Sequence, residues 1–300
     1  MQRQPPPQWF LRDPAGIVIA GFCWCVMIVS ICALWTSLSF WVGALSPVGF
    51  LDGTLLTASI GMCMWSHWQV MTTNPGVVPR HGASEKDDGD VFSEGEEEEM
   101  PLTEFENSED DGSLLVFCDE CNMYRPARAM HCETCEGCIV LMDHHCPWVN
   151  NCVGIGNHKF FLLFLFYVAV TSVHVLLLVV AEHLTCTRGK PFCGFQAEAF
   201  PGRLGVWLLA AACVFGLFCS GMLAMELYSI ADDLIFTKIA EEVNVRTGCK
   251  SRSPLERHLS VLCGTNGFEW SWFLPTTQRR SRQEWEILGG IPHFGPGDQC

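Results

Sequence analysis

Charge is what this sequence has least of. Asp, Glu, Lys and Arg make up only 17% of its 300 residues, against about 25% in an ordinary globular domain, while 49% of the residues are apolar. The deficit is concentrated in a few stretches. Residues 14–51 contain no charged side chain, and after the single Asp52 the charge-free stretch resumes and runs to residue 79. Two further gaps cover residues 160–181 and 204–225. Soluble helices normally keep one polar face, so gaps of this length exclude an ordinary soluble fold. A membrane-spanning helix needs roughly 20 mostly apolar residues. Four spans are therefore expected, at about residues 17–41, 54–71, 160–181 and 204–225, which makes the fold class an α-helical multipass membrane protein. A small-residue cleavage site is also missing after the first apolar run, which argues against a removable signal peptide. There is no basic stripe to neutralise phosphates, so no nucleic acid is expected as a partner.

The charges that do occur are unevenly placed. Of the formal net charge of −15, residues 85–111 carry fourteen acids and one lysine, a net of −13. Such a run cannot collapse against itself and reads as a solvated, disordered linker. Positive charges set the orientation. Arg3 and Arg12 precede the first span, and the link between the first two spans has neither Lys nor Arg. This places the N-terminus, the segment between spans two and three and the C-terminal tail on the cytosolic side. Arg188, Lys190 and Arg203, in the link between spans three and four, run against the rule.

Eighteen cysteines in a small secreted chain would indicate disulfides, but seven of them crowd into one segment on the reducing side: Cys118, Cys121, Cys132, Cys135, Cys138, Cys146 and Cys152. Three C-x-x-C pairs are close enough to chelate tetrahedral zinc. The segment has too few apolar residues to fold on its own core, so metal would supply much of its folding free energy. Two closed sites need eight donors. Seven cysteines with His131, His144, His145 and His158 offer eleven candidates. With three cysteines and one histidine per site, one thiol and two imidazoles are left over. The count leaves open which they are. A spare thiol beside an imidazole can act as a nucleophile with its base.

The stretch "CDECNMYRPARAMHCETCEGCIVLMDHHCPWVNNCVGIGNHKFF", residues 118–161, resembles the cysteine-rich domain of the DHHC protein S-acyltransferases, and four spans with this domain between the second and third fit the same family. The resemblance implies that Cys118, Cys121, His131 and Cys138 bind one structural zinc ion. It assigns Cys132, Cys135, His145 and Cys152 to a second. Cys146 is then the nucleophile, His144 its base, and Asp143 the group that holds His144. The implied enzyme is a protein-cysteine S-palmitoyltransferase. It takes a palmitoyl or other long-chain acyl group from acyl-CoA and passes it through a Cys146 thioester to membrane-proximal cysteines of substrate proteins. Membrane lipids are implied partners, a homo-oligomer is compatible with this reading, and the expected membrane is the Golgi or the endoplasmic reticulum. Arg125, Arg128 and Lys159 are candidate cations for the phosphates of coenzyme A. Because neighbours in an extended segment point to opposite faces, Asp143, His144 and Cys146 are expected to need a turn to converge, with the zinc ions holding that turn.

The expected organisation is a cytosolic N-terminus (1–16), spans one and two (17–71), a cytosolic linker with the acidic run (72–117), the zinc-binding domain (118–159), spans three and four with their lumenal loop (160–225), and a cytosolic tail (226–300). Outside the cysteine-rich domain the chain departs from the family. Asn74-Pro75-Gly76 stands where Asp-Pro-Gly is usual, no Thr-Thr-x-Glu follows the fourth span, and in the tail either His258 or Asn266 occupies the place of an expected Asn. These departures motivate one alternative, a membrane-anchored zinc-binding adaptor of low activity. Weaker candidates are a Cys186–Cys193 disulfide, acylation of Cys249, and a functional role for His174 within the third span.

Overall fold

A computed structural model of the chain describes residues 9–79, 115–186, 200–232, 254–265 and 268–277, with the single positions 238 and 288. The acidic run, Arg188, Lys190, Cys193, Cys249 and Asn266 lie outside these residues. Four long helices dominate: α1 (Pro14–Trp41), α2 (Pro47–Thr72), α3 (His158–Cys186) and α4 (Phe200–Asp232). All four are long and apolar enough to cross a membrane. Their starts follow from local chemistry. Asp13 caps α1 by accepting from the N–H groups of Ala15 and Gly16, with Pro14 at the first helical position, and Ser46 with Pro47 does the same for α2.

The helices are apolar all round, and the outward faces expose Val18, Phe22, Leu55, Leu177, Val214 and Leu217. Water would penalise that surface; a lipid environment does not. Within the bundle Ala33, Leu34, Leu38, Leu56, Val175 and Leu208 pack together. A few polar contacts fix the mutual rotation of the helices: Trp35 Nε1 donates to Thr57 (3.0 Å), Trp41 Nε1 to Thr185 (3.0 Å), and Ser59 and Thr171 share a bond of 2.6 Å. Such bonds contribute about 0.6 kcal/mol each, so they set geometry while packing carries the stability.

Helix α2 begins seven residues before its expected start and includes Asp52. The charge is accommodated because Asp52 Oδ1 lies 3.4 Å from His174 Nε2 of α3. A pair of this kind is invisible to a count of charges along one segment. It also gives His174 a partner within the bundle. Helix α4 likewise runs past the charge-free gap, through Glu226, to Asp232.

Between α2 and α3 lie three two-stranded antiparallel hairpins: β1 (Leu115–Cys118) with β2 (Met123–Pro126), β3 (Ala129–Cys132) with β4 (Gly137–Val140), and β5 (His144–Cys146) with β6 (Asn151–Val153). Isolated hairpins are marginal in water, so these need cross-links. A short helix α5 (Pro254–Cys263) and a 3-10 turn, Trp270–Phe273, complete the described tail. Lys159 Nζ donates to the Ser271 carbonyl (3.1 Å), Tyr167 to that of Phe273 (2.5 Å) and Gln69 to that of Pro275 (2.9 Å), so α2 and α3 hold the turn. His258 of α5 is fully buried.

The hairpins are docked to α2 by the Asn74-Pro75-Gly76 turn. The Asn74 side-chain oxygen accepts from the N–H groups of Gly76 and Val77, both at 2.9 Å. Val140 N–H donates to the Gly76 carbonyl and Val78 N–H to that of Cys138. An Asp carboxylate accepts the same two bonds, so the departure at Asn74 leaves this turn intact. Gly76 has φ of 109°, a conformation that favours glycine. Gly156 packs so closely beneath the turn that a Cβ there would meet the Asn74 carbonyl at 2.2 Å.

Candidate active site

Strand alternation sorts the ligands. On β3, His131 and Cys132 are neighbours and point to opposite faces. His131 joins Cys118, Cys121 and Cys138 on one side; Cys132 joins Cys135, His145 and Cys152 on the other. In the first cluster His131 Nδ1 lies 3.6 Å from Cys118 Sγ, 3.2 Å from Cys121 Sγ and 3.9 Å from Cys138 Sγ. In the second, His145 Nδ1 lies 3.7, 3.5 and 3.6 Å from the sulfurs of Cys132, Cys135 and Cys152. Zinc with Zn–S near 2.3 Å and Zn–N near 2.0 Å places tetrahedral donors about 3.5 to 3.8 Å apart, so both clusters fit a closed four-donor zinc site.

The electrostatics of the sulfurs agrees. A hydrogen bond from Cys152 draws the Cys135 thiol down to about 6, and the Cys152 thiol is pushed up by that same partner. Burial, then the neighbouring Cys118 and Cys121 sulfurs, push Cys138 up to about 12. Three thiols packed this tightly cannot all ionise unless a cation sits among them.

The same alternation divides the two adjacent histidines of β5. His145 pairs across the hairpin with Cys152 and faces the second cluster. His144 and Cys146, two apart, share the opposite face. They therefore need no turn to meet, contrary to the expectation from sequence. Only Asp143, just before the strand, is brought in by a bend, which follows the left-handed Leu141 (φ 46°) and is fixed by Asp143 N–H donating to the Val153 carbonyl. Asp143 Oδ2 lies 2.9 Å from His144 Nδ1. This bond, and after it hydrogen bonding to the Cys146 sulfur, push the His144 imidazole up to about 10. Burial acts to raise the Asp143 carboxyl, but hydrogen bonding with His144 and the nearby His158 outweigh it and hold the carboxyl below its usual range.

Cys146 is 6% exposed and packs with Val149, Val153, Phe160, Phe161 and Leu165. It opens onto a cavity of about 430 Å³ whose walls include His144, Trp148, Phe161, Phe218 and Met222. Four residues of that wall, Cys23, Phe164, Phe215 and Cys219, also line a second cavity of about 110 Å³. This one lies among all four spans and reaches Ser30, Leu34 and Val175. From Cys23 to Leu34 the α1 wall rises about 16 Å.

Several residues that hold this site escaped the sequence reading. Asn150, Asn151 and Asn157 are all buried. Asn151 donates to the carbonyls of Val70 and Thr73 and accepts from Trp9 Nε1; Asn157 donates to the carbonyls of Val70 and Cys152; Asn150 donates to the Leu11 carbonyl. His67 of α2, fully buried, accepts from Trp24 Nε1 (3.0 Å) and donates from Nε2 to the Trp148 carbonyl (2.9 Å). Amides standing inside an apolar motif were the available signal, since a buried amide must find partners. Arg125 donates to the Ala129 carbonyl, and Lys159 is buried against the tail. Two of the three candidate cations for coenzyme A thus also bond to the main chain.

The sequence model described as DHHC palmitoyltransferase matches residues 113–244. Palmitoyltransferase ZDHHC7 of Mus musculus is 33% identical over 234 residues, which cover 75% of this chain and 68% of that protein. Palmitoyltransferase ZDHHC3 of Homo sapiens is 32% identical over 242 residues, covering 76% and 74%. Probable protein S-acyltransferase 14 of Arabidopsis thaliana is 33% identical over 202 residues, covering 65% and 62%. Four apolar helices, a cysteine-rich domain between the second and third, and these relatives together establish that the chain belongs to the DHHC palmitoyltransferase family and acts as a protein S-acyltransferase.

Proposed function

We propose that Cys146 carries the acyl group. The observation that carries this reading is the face of β5, where Cys146 and a His144 held by Asp143 open together onto an apolar cavity between the spans. His144 takes the proton from the Cys146 thiol, and the sulfur attacks the carbonyl carbon of a long-chain acyl-CoA. The bond from that carbon to the coenzyme A sulfur breaks, and coenzyme A leaves as the thiol once it regains a proton. A cysteine thiol of a substrate protein then attacks the Cys146 thioester, the acyl chain moves to it, and the proton returns to Cys146. Asp143 keeps the His144 Nδ1 proton in place, so that Nε2 serves the sulfur, and it stabilises the imidazolium. The Asp143 bond raises the proton affinity of the His144 ring, which favours that transfer.

The cavity supports a palmitoyl or similar chain, because each buried CH2 contributes about 0.8 kcal/mol. Cys118, Cys121, His131 and Cys138 would hold one zinc ion, and Cys132, Cys135, His145 and Cys152 the other. Zinc supplies folding free energy here, since all four donors at each site belong to the protein. The termini and hairpins face the cytosol, the side where the few cations before the first span lie. Incubation of the purified protein with labelled palmitoyl-CoA tests the reading. Hydroxylamine-sensitive label on the wild type and none on Cys146→Ser is expected; equal label on both overturns it.

A further inference from the structure

Beyond the hydrogen bond to His144, Asp143 has a second set of neighbours. His158, the first residue of α3, and Glu226, near the cytosolic end of α4, are 9% and 7% exposed. His158 Nε2 donates to Glu226 Oε2 at 3.1 Å, and one polar atom from each of Asp143, His158 and Glu226 lies within 4.8 Å of the other two. His158 cannot drift: its N–H donates to the Gly154 carbonyl at 2.9 Å, and the side chain of Asn157 locks that same loop. Glu226 is the first charge after the gap in α4 and stands inside the helix, turned toward the bundle instead of toward water.

The buried Glu226 carboxylate must be paired, and His158 pairs with it. The Asp143 carboxyl, 34% exposed, stands beside that pair. The arrangement forms a relay of contacts behind the catalytic pair. A carboxylate held at one oxygen alone can pivot about its Cβ–Cγ bond; contacts on its other side stop that rotation. We propose that Glu226 and His158 are positioning residues, which hold the Asp143 carboxylate so that it orients His144 toward Cys146. They thereby couple the geometry of the two last spans to the rate of thioester formation. This role rests on Cys146 as the nucleophile.

The test is single-turnover acylation of the full-length protein in nanodiscs, with labelled palmitoyl-CoA varied to separate the limiting rate from half-saturation, and zinc counted on the same samples. Glu226→Leu is expected to lower the limiting rate by on the order of 10- to 100-fold, as misplaced catalytic groups do. Half-saturation and zinc content should stay unchanged. Glu226→Gln should restore most of the rate, because its amide oxygen still accepts from His158. In an Asp143→Asn background Glu226→Leu should cause no further loss, which a merely structural role would not produce. His158→Asn, too short to reach Glu226, gives a second entry to the same cycle should Glu226→Leu fail to fold. Wild-type rates in Glu226→Leu, or an equal loss in the Asp143→Asn background, overturn the proposal, as does a third metal ion lost with Glu226. If Cys146→Ser still labels, the nucleophile falls and this role with it; if Cys146→Ser is silent while Glu226→Leu labels normally, the positioning role alone falls.

Discussion

His144 and His145 differ by one position and by everything that surrounds them. His145 faces three sulfurs, Cys152 across its own hairpin and Cys132 and Cys135 from the neighbouring one, while His144 faces Asp143, Cys146 and the ring of Phe161 at 5.3 Å. Their alanine variants should therefore fail in different ways. His144→Ala should keep two zinc ions and its melting temperature and lose acylation by about 10²- to 10⁴-fold, the usual contribution of a general base. His145→Ala should lose one zinc ion and the fold of the second cluster, as elemental analysis and circular dichroism would read. His67 offers a third case. It bridges Trp24 of α1 to the carbonyl of Trp148, two residues beyond Cys146. His67→Leu removes the partner of the Trp24 indole N–H and of the Trp148 carbonyl, and should destabilise the protein by about 1 kcal/mol in a thermal melt in detergent. An unchanged melt would remove its bridging role.

Among the elements, the Asn74-Pro75-Gly76 turn carries the connection between membrane helix and hairpins. Gly156→Ala should break it, because the added Cβ meets main-chain atoms that no side-chain rotation can clear; a lower melting temperature together with a lower acylation rate is expected. Asn74→Asp should change stability by less than about 0.5 kcal/mol, since the carboxylate accepts the same two N–H groups. Much at this scale was legible in the sequence: charge-free gaps marked the spans to within several residues, cysteine spacing pointed to metal ligands, and the family resemblance named the two sets of four that converge. The start of α2 was not, because Asp52 finds its partner in His174, more than a hundred positions away. Nor was the relation of His144 to Cys146. Alternation separates neighbours, whereas these two have one residue between them, and in a strand that spacing brings side chains to the same face. The asparagines of the motif and Glu226 went unread for a related reason: their roles depend on partners from other helices.

At the scale of the whole molecule, the membrane helices and the hairpins are stabilised by different physics. The spans draw on apolar packing and lipid; the hairpins are short and pair only two by two, and their Cys and His donors converge in two sets of four. A strong chelator should therefore strip the metal, loosen the hairpins and abolish acylation while most of the helical circular dichroism survives. Loss of the helical signal in step with zinc would contradict that division. The larger cavity joins the two halves, since its walls come from β5 and from α1, α3 and α4. Cys23 and Cys219 stand in the same wall as Cys146, so the acceptor of the acyl group has to be identified and not assumed from proximity. Peptide mass spectrometry of the full-length protein after brief exposure to palmitoyl-CoA makes that identification. A palmitoyl thioester on the peptide bearing Cys146 is the expected result. A thioester on Cys23 or Cys219 with Cys146 unmodified would contradict it.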